Sequence, residues 1–222
     1  MNEEFIFLLD RLLPALNKGV IVSLQLIVPS ALLGIFFGVV VGACRAFGGR
    51  ILSTVANGYA ALFRGTPLVI QLFILYFGLP GVGIYLQPYS AAVIGFTLCS
   101  AAYHSEYIRG GLLSIKRGQV LAAQALGFST LTTLVWIIIP QAFRRALPGC
   151  GNEIVYLIKY SSLAYVITCF ELTGQAKIVA SETFRFSEVF MVVGVYYLIL
   201  VSVATYGLRR LEKRLEIPGF GH

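Results

Sequence analysis

The sequence has 222 residues, of which 58% are apolar and 12% are charged. Soluble domains carry about 25% charged residues, so this chain has too little charge to cover a water-soluble surface. A cytosolic globular enzyme, a disordered or fibrous chain and a nucleic-acid-binding protein are excluded, and an all-α integral membrane protein is predicted. The 17 Lys and Arg residues exceed the 10 Asp and Glu residues, giving a net charge of +7, which in a membrane protein reports how the loops are oriented.

The chain begins with a stretch that does not have the composition of a signal peptide. Glu3, Glu4 and Asp10 are acidic, whereas a signal peptide begins with a positively charged region. The apolar residues before Lys18 recur at a helical period, which predicts an amphipathic helix lying at the membrane interface. The alternative is an uncleaved disordered leader.

Long uncharged stretches predict where the chain crosses the membrane, since a crossing needs about 20 apolar residues. Such stretches precede Arg45, Glu106 and Arg209, and the one before Glu106 is long enough for two crossings. Together with one more polar crossing, the predicted spans are residues 19–44, 56–79, 88–107, 152–172 and 189–208.

Two segments compete for the remaining crossing. Residues 118–143 carry no charge but begin with small and polar residues and contain Pro140, whereas residues 152–172 carry three charges. If only 152–172 crosses, 13 basic residues lie on one side of the membrane and 4 on the other; a sixth span at 118–143 changes this to 9 and 8. Basic residues concentrate on the cytoplasmic side, so five spans are predicted, with the N-terminus outside and both the 108–151 loop and the C-terminus in the cytoplasm.

The cytoplasmic loop is longer than most loops that lack a function. Its sequence predicts short helices. The first, VLAAQAL, is predicted to end at Gly127, which can adopt the left-handed backbone conformation. Small residues at Ala122, Ala123 and Ala125 allow close approach to another surface. A short helix held away from the membrane is suited to contact a cytosolic partner; the alternative is a helix that lies idle on the lipid surface.

Two further features indicate a path for a solute. The run RGTP at residues 64–67 predicts a helix that kinks or begins there, because proline lacks an N–H donor and restricts the preceding residue. An ordinary interfacial arginine beside a proline explains the run equally well.

The fourth span is polar, and charges at membrane depth normally face water or protein. Glu171 is suited to bind a substrate ammonium or guanidinium, or else is a solvated charge at a helix end. The polar residues of this span are Asn152, Glu153, Lys159, Ser161, Ser162 and Glu171.

Other residues indicate packing rather than chemistry. Gly34, Gly38 and Gly42 repeat a G-x-x-x-G spacing, which lets another helix pack closely. The four cysteines lie far apart, so neither a disulfide framework nor a metal site is predicted. His104 is expected to be a hydrogen-bonded interior histidine. The sequence has no Gly-x-x-x-x-Gly-Lys-Ser/Thr loop, so any nucleotide must be bound by another chain.

Several runs together resemble the permease subunits of bacterial ABC importers for polar amino acids. The cytoplasmic E-A-A-x-x-L-G motif of that family corresponds to Leu121–Gly127, and its I-x-x-P corresponds to Ile137–Pro140. The runs RGTPLxxQ, A-Y-x-x-E-x-x-R-G-G and N-E…K-x-(T/S)-S-L correspond to Arg64–Gln71, Ala102–Gly111 and Asn152–Leu163. The resemblance covers nearly the whole chain. The one departure is Leu121, which stands where the family motif has glutamate.

The resemblance implies a bacterial inner-membrane protein that forms a translocation path with a second permease, identical or related. It also implies a pair of cytoplasmic ATPases that bind ATP and Mg²⁺, and an extracytoplasmic binding protein that delivers the amino acid. The run SSLAYVITCFELTG is most similar to subunits for basic amino acids such as arginine or histidine. The implied ATPase-coupling residues are Ala122, Ala123, Ala125, Leu126, Gly127 and Phe128. The implied substrate-path residues are Gln71, Ser161, Ser162 and Glu171.

Two other classes of membrane protein remain as alternatives. A small homodimeric secondary transporter driven by an ion gradient predicts uptake that persists without ATP and collapses with an ionophore. A purely structural membrane anchor predicts that charged substitutions in the fourth span are tolerated. A carrier driven by a gradient has no need of a helix that docks in the cytosol, so the loop favours the ABC permease.

Overall fold

The computed structural model describes residues 6–215, and within that range the chain is helical with no β-strand. Short π-helical and 3₁₀ segments interrupt or extend the α-helices at Phe7–Leu12, Ile74–Gly78, Leu79–Val82, Leu134–Ile138 and Ser161–Ile167. The α-helices are α1 (Leu13–Phe47), α2 (Arg50–Gly65), α3 (Leu68–Phe73), α4 (Pro88–Leu113), α5 (Arg117–Ala125), α6 (Thr130–Thr133), α7 (Ile139–Tyr160), α8 (Leu172–Thr183) and α9 (Phe186–Leu215).

Among the described residues, two helices are long and apolar enough to cross a membrane unaided, Phe7–Phe47 and Phe186–Leu215. Two further candidates are broken: Arg50–Gly65 and Leu68–Val82 meet at 102°, and Thr130–Ile167 and Leu172–Thr183 meet at 51°. Helix α4 has 26 residues, which at 1.5 Å per residue is also long enough to cross. Within residues 6–215, four candidates at most meet both the length and the composition of a span, and α4 meets the length alone. The count of five spans stays a prediction.

The boundaries of two spans differ from the predicted ranges. The predicted span 56–79 contains a sharp bend at Thr66 and Pro67. Its first part belongs to α2, and the part from Leu68 onward runs in a different direction. Residues 152–172 are the middle of a longer bent element that begins at Thr130 within the 108–151 loop. The second half of that loop is therefore helical and continuous with α7.

The N-terminal stretch also differs from the predicted separate interfacial helix. Residues Phe7–Phe47 form one continuous helix of 41 residues, about 60 Å long at 1.5 Å per residue. Leu12 and Leu16 are fully buried in contact with α8 and α9, which explains why this part stays attached to the bundle. A helix of this length exceeds a hydrocarbon core of about 30 Å, so some of its turns extend beyond the bilayer. Glu3 and Glu4 lie outside the described residues.

Close packing between α1 and α4 forms the centre of the bundle. A Cβ atom added to Gly34 would lie 2.7 Å from Ser100 Oγ, and one added to Gly42 would lie 3.0 Å from Ile108 Cγ2. A Cβ on Gly38 would collide with His104. The three contacts advance together along both helices, so α1 and α4 run in the same direction. Larger residues at these three positions would force the helices apart.

Two hydrophobic cores follow one another along α1. The first joins the middle of α1 to α3, α4, α7 and the Ser161–Ile167 segment; its largest buried residues are Leu26, Leu72, Phe96, Leu157 and Ile167. The second joins the N-terminal turns of α1 to α8 and α9, with Leu12, Leu16, Leu172 and Val189 fully buried. The break at residues 168–171 meets α1 at the junction between these cores, where Ser23 contacts Glu171 and Gly19 packs against Leu172.

Candidate functional site

The predicted coupling residues lie on α5 and the turn that follows it. Ala123 is buried, whereas the other five residues of the set are exposed. Leu126 is 77% exposed and Phe128 is also exposed, so the end of this helix presents apolar side chains. Leu121, at the position of the family glutamate, is exposed as well.

The end of α5 is held in a rigid hydrogen-bonded turn. Gly127 has φ of +82°, the left-handed conformation predicted from the sequence. The N–H of Phe128 donates to the carbonyl of Ala123 at 3.0 Å, and the N–H of Gly127 donates to Gln124 at 2.9 Å. These two bonds form a Schellman motif, so the apolar tip has a defined shape. A short helix with such a tip is suited to fit a groove in a partner protein.

The break between α2 and α3 is stabilised by the side chain of Gln71. Thr66 and Pro67 have extended backbones, and the Gln71 side-chain amide donates to the carbonyl of Phe63 at 2.9 Å and to that of Thr66 at 3.1 Å. It also lies 2.9 Å from the Thr66 hydroxyl. Gln71 is buried, and its amide group replaces backbone hydrogen bonds lost at the proline.

A cavity of about 390 Å³ lies beside this break. Its walls combine polar and apolar groups from α2, α3, α4 and the end of α7. The lining residues are Arg64, Gly65, Thr66, Pro67, Leu68, Val69, Cys99, Tyr103, Tyr160 and Leu163. None of the four predicted path residues is in this set, although Tyr160 and Leu163 flank Ser161 and Ser162. Broken helices at membrane depth are tolerated where they line such a cavity.

The predicted path residue Glu171 has a structural position instead. It is fully buried and forms the N-cap of α8, where its carboxylate accepts from the N–H of Thr173 at 2.9 Å and of Gly174 at 3.0 Å. The hydroxyls of Tyr197 and Ser23 donate to the same carboxylate at 3.0 and 3.4 Å. With four donors from its own chain and no exposed surface, Glu171 is not the solvated helix-end charge of the alternative reading. Its role in the substrate path stays a prediction.

The two predicted serine residues end α7. Ser161 is buried and donates its hydroxyl to the carbonyl of Ile158 at 2.8 Å, and Ser162 donates to Lys159 at 2.6 Å. Both bonds stay within the same helical turn and support the change from α-helix to 3₁₀ geometry at Ser161.

Another acidic residue of the fourth span, Glu153, is placed differently from Glu171. It is 2% exposed, and its Oε1 atom has no hydrogen-bond partner among residues 6–215. Glu153 is not among the residues that line the 390 Å³ cavity, but it lies on α7 two turns before Tyr160, which does line it. Spacing alone could not distinguish Glu153 from Glu171, because both are acidic residues in the same polar span.

An ionic cluster that was not predicted surrounds Glu106. Its carboxylate pairs with Arg45 Nη2 at 2.8 Å, with Arg64 Nη1, and with Arg109 Nη1 at 3.6 Å. Arg45 also donates to Ser105 Oγ and to Asn57 Oδ1, each at 2.9 Å. The cluster joins α1, α2 and α4. The i, i+3 spacing of Glu106 and Arg109 was a visible signal, but the contributions of Arg45 and Arg64 depend on the tertiary fold.

A second cavity, of about 880 Å³, lies at the loop end of the bundle. Glu106 lines it, together with later residues of α4, beginning with Tyr107, and residues of α7 and α9. Its walls carry both signs of charge. The charged lining residues are Glu106, Arg144, Arg145, Glu212 and Lys213.

The described part of the chain shows no cluster of three or more side chains that could hold a metal ion. Cys44, Cys99, Cys150 and Cys169 are free.

Comparisons with known proteins give one family. Residues 25–217 match the family described as binding-protein-dependent transport system inner membrane component. The chain is 39% identical over 207 residues to the glutamine transport system permease protein GlnP of Escherichia coli K12, covering 92% of this chain and 94% of that one. It is 35% identical over 217 residues to the arginine transport system permease protein ArtQ of Bacillus subtilis 168, covering 97% and 99%. A crystal structure of an amino acid ABC transporter with histidines superposes with a TM-score of 0.89 at 30% identity, covering 96% of this chain and all of that one.

Proposed function

Since the chain belongs to the family of binding-protein-dependent transport system inner membrane components, we propose that it imports a polar amino acid as one of two permease subunits in a complex. The relatives are permease proteins of amino acid transport systems, in which ATP hydrolysis belongs to a separate subunit. The chain is accordingly a transport subunit and not an enzyme. ATP and Mg²⁺ are bound by the partner ATPases.

The observation that carries this proposal is the short connection between an exposed docking helix and a cavity. After the turn that ends α5, one continuous helical element runs from Thr130 through α7 to Tyr160, which lines the 390 Å³ cavity. A rigid displacement of the loop by an ATPase therefore reaches the cavity wall. A carrier driven by an ion gradient would have no use for this connection.

The coupling role of α5 is tested by Leu126→Asp in the full complex. A charge on the apolar tip opposes docking in a hydrophobic groove, so ATP-dependent uptake falls by more than about tenfold and the ATPase no longer co-purifies. Gln119→Ala is the matched control, because Gln119 is exposed on the first turn of the same helix. Normal co-purification of the ATPase with Leu126→Asp would contradict docking through this tip.

The substrate path is proposed to pass through the 390 Å³ cavity, with Glu153 as its acidic residue. The supporting observation is a buried carboxylate with an unpartnered oxygen on α7, two turns before Tyr160, which lines the cavity. Burying such a charge is costly unless the group is protonated or a cation meets it. A basic amino acid, such as arginine, supplies that cation. The names of the relatives include both glutamine and arginine, so charge at this position is the feature that we propose to select between them.

This substrate proposal is tested by Glu153→Gln, with uptake of arginine and of glutamine measured in proteoliposomes that contain the permease, the ATPase and the binding protein. Arginine uptake falls by about tenfold or more, since a buried charged hydrogen bond contributes about 1.5–3 kcal/mol. Glutamine uptake changes less. Unchanged arginine uptake would remove Glu153 from the path.

The orientation follows from the loop charges. We propose that the 108–151 loop and the C-terminus lie in the cytoplasm, with the binding protein docking on the opposite side of the inner membrane. The second permease covers part of the exposed apolar surface, of which α9 has a large share, since its most apolar window is only 11% buried. The orientation is tested by replacing Gln119 with cysteine and adding an impermeant thiol reagent from either side of the membrane. Labelling is expected from the cytoplasmic side, and labelling from the outside would contradict the orientation.

A further inference from the structure

The two cavities follow one another along a single face of α4. Cys99 and Tyr103 line the 390 Å³ cavity, and Tyr107, Gly111 and Ser114 line the 880 Å³ cavity. These residues are spaced by three or four, so they share one side of the helix. A solute leaving the smaller cavity toward the loop would enter the larger one.

The ion pair between Arg64 and Glu106 stands where the two cavities meet. Arg64 lines the smaller cavity and Glu106 lines the larger one, and Arg64 Nη1 contacts Glu106 Oε2. The Arg64 guanidinium also lies 5.6 Å from the centre of the Tyr103 ring. The pair thus lies at the boundary between the two sets of lining residues, which we call the neck, on the side of α2.

The two partners are held with different firmness. Glu106 is fixed by Arg45, whose side chain is 7% exposed and is itself held by Asn57 and Ser105. Arg64 lies near the end of α2, directly before the break at Thr66 and Pro67, and its side chain is 37% exposed. Ion pairs with this much access to water are weak, so this contact can open while the Arg45 contact holds.

We propose that the Arg64–Glu106 ion pair is the cytoplasmic gate of the translocation path, an inference that rests on the proposed function. With the pair formed, the neck between the cavities is closed. When α2 and α3 move apart at their break, Arg64 withdraws from Glu106 and the solute passes to the loop-side cavity. Glu106 remains in place through Arg45 and acts as the fixed half of the gate.

The test uses Cys99, which lines the smaller cavity and is 5% exposed. In the full complex in inverted membrane vesicles, with Cys44, Cys150 and Cys169 replaced by alanine, an impermeant maleimide added on the cytoplasmic side labels Cys99 slowly. Arg64→Gln removes the charge pair and raises the labelling rate about fivefold, the change expected for loss of an ion pair of this exposure. Arg64→Lys restores the pair and keeps labelling near that of the parent.

Arg145→Gln is the matched control, since it removes an arginine from the larger cavity and Arg145 donates to Ser114 rather than to Glu106; its labelling rate equals that of the parent. Equal rates for Arg64→Gln and the parent would overturn the gate. If Arg64→Gln does not assemble, labelling of the parent complex is measured at increasing salt concentration instead. Salt screens the exposed ion pair, so labelling of Cys99 is expected to accelerate. A labelling rate that does not depend on salt would overturn the gate.

Uptake measured on the same preparations separates the gate from the function on which it rests. If the parent complex imports no amino acid but Cys99 is labelled faster in the Arg64→Gln complex than in the parent, the gate is supported and the proposed function is contradicted. Amino acid import by the parent together with unchanged labelling of Arg64→Gln contradicts the gate and leaves the proposed function standing.

Discussion

The second and fourth spans are both broken, but the polar groups at the two breaks have different surroundings. At Thr66 and Pro67 the break opens on a cavity, and the nearest charge, Arg64, is part of a partly exposed ion pair. At Thr168–Glu171 the break is closed by a fully buried carboxylate with four donors. A hydrogen bond of 3.2 Å between Tyr76 and Thr168 connects the two spans. A helix break alone therefore does not indicate a solute path; what matters is whether its polar groups are already satisfied.

The break in the fourth span is held by contacts with two other helices. Thr168 has φ of +62°, which is unfavourable for a β-branched residue, so the surrounding contacts must hold it. Ser23 from α1 and Tyr197 from α9 supply such contacts through Glu171. We infer that this break is an anchor for α8, whereas the second break is the part that moves.

The largest expected effect is that of Glu171→Ala. The substitution removes the N-cap of α8 and leaves two N–H groups and two hydroxyls without their acceptor, at a cost of about 3 kcal/mol or more. Thermal unfolding of the purified complex measures it. Gln175→Ala is the control, because the Gln175 side chain makes one long bond of 3.4 Å at the surface. A melting temperature equal to that of the control would contradict the anchor.

The next effect comes from a pair of alanine substitutions, one at each break. A Cβ on Gly19 would lie 2.7 Å from Leu172 Cα, which is backbone and cannot move aside, so Gly19→Ala destabilises the protein by about 1–3 kcal/mol. Gly65, beside the second break, has no atom within 4 Å of such a Cβ, and Gly65→Ala is expected to be neutral or slightly stabilising. The same unfolding assay compares them; similar losses at both positions would show that the breaks are equally packed.

A smaller effect is expected from Gln71→Ala. The substitution deletes the amide that bridges the second break, and each lost hydrogen bond is worth about 0.5–1.5 kcal/mol. The uptake rate is expected to fall by a larger factor than the lost free energy of unfolding accounts for, because we infer that the helices move at this break. Measuring both on one preparation decides the point, since a loss of stability with unchanged uptake would assign Gln71 to packing alone.

The smallest effect is that of Ser162→Ala. Its hydroxyl donates only to Lys159 in its own turn, so the free energy of unfolding changes by less than about 0.5 kcal/mol and uptake is unchanged. A clear loss of uptake would return Ser162 to the substrate path that the sequence predicts.

Local patterns were enough to predict the features that depend on local chemistry. The composition predicts a helical membrane protein because lipid requires every backbone group to be bonded within the segment. Gly127 predicts the end of α5 because its left-handed conformation is unfavourable for other residues. The proline at 67 predicts the break after α2, since it removes a donor wherever it lies.

The assignment of the two acidic residues required the tertiary structure. Glu153 and Glu171 are both acidic residues of the same polar span in the sequence, yet one has a buried oxygen without a partner among residues 6–215 and the other caps a helix. The difference comes from Ser23 and Tyr197, which lie 148 and 26 residues away from Glu171 in the chain. Local sequence specifies which groups need a partner, but only the packing of distant helices decides which of them receive one, and the groups that receive none are those available for a solute.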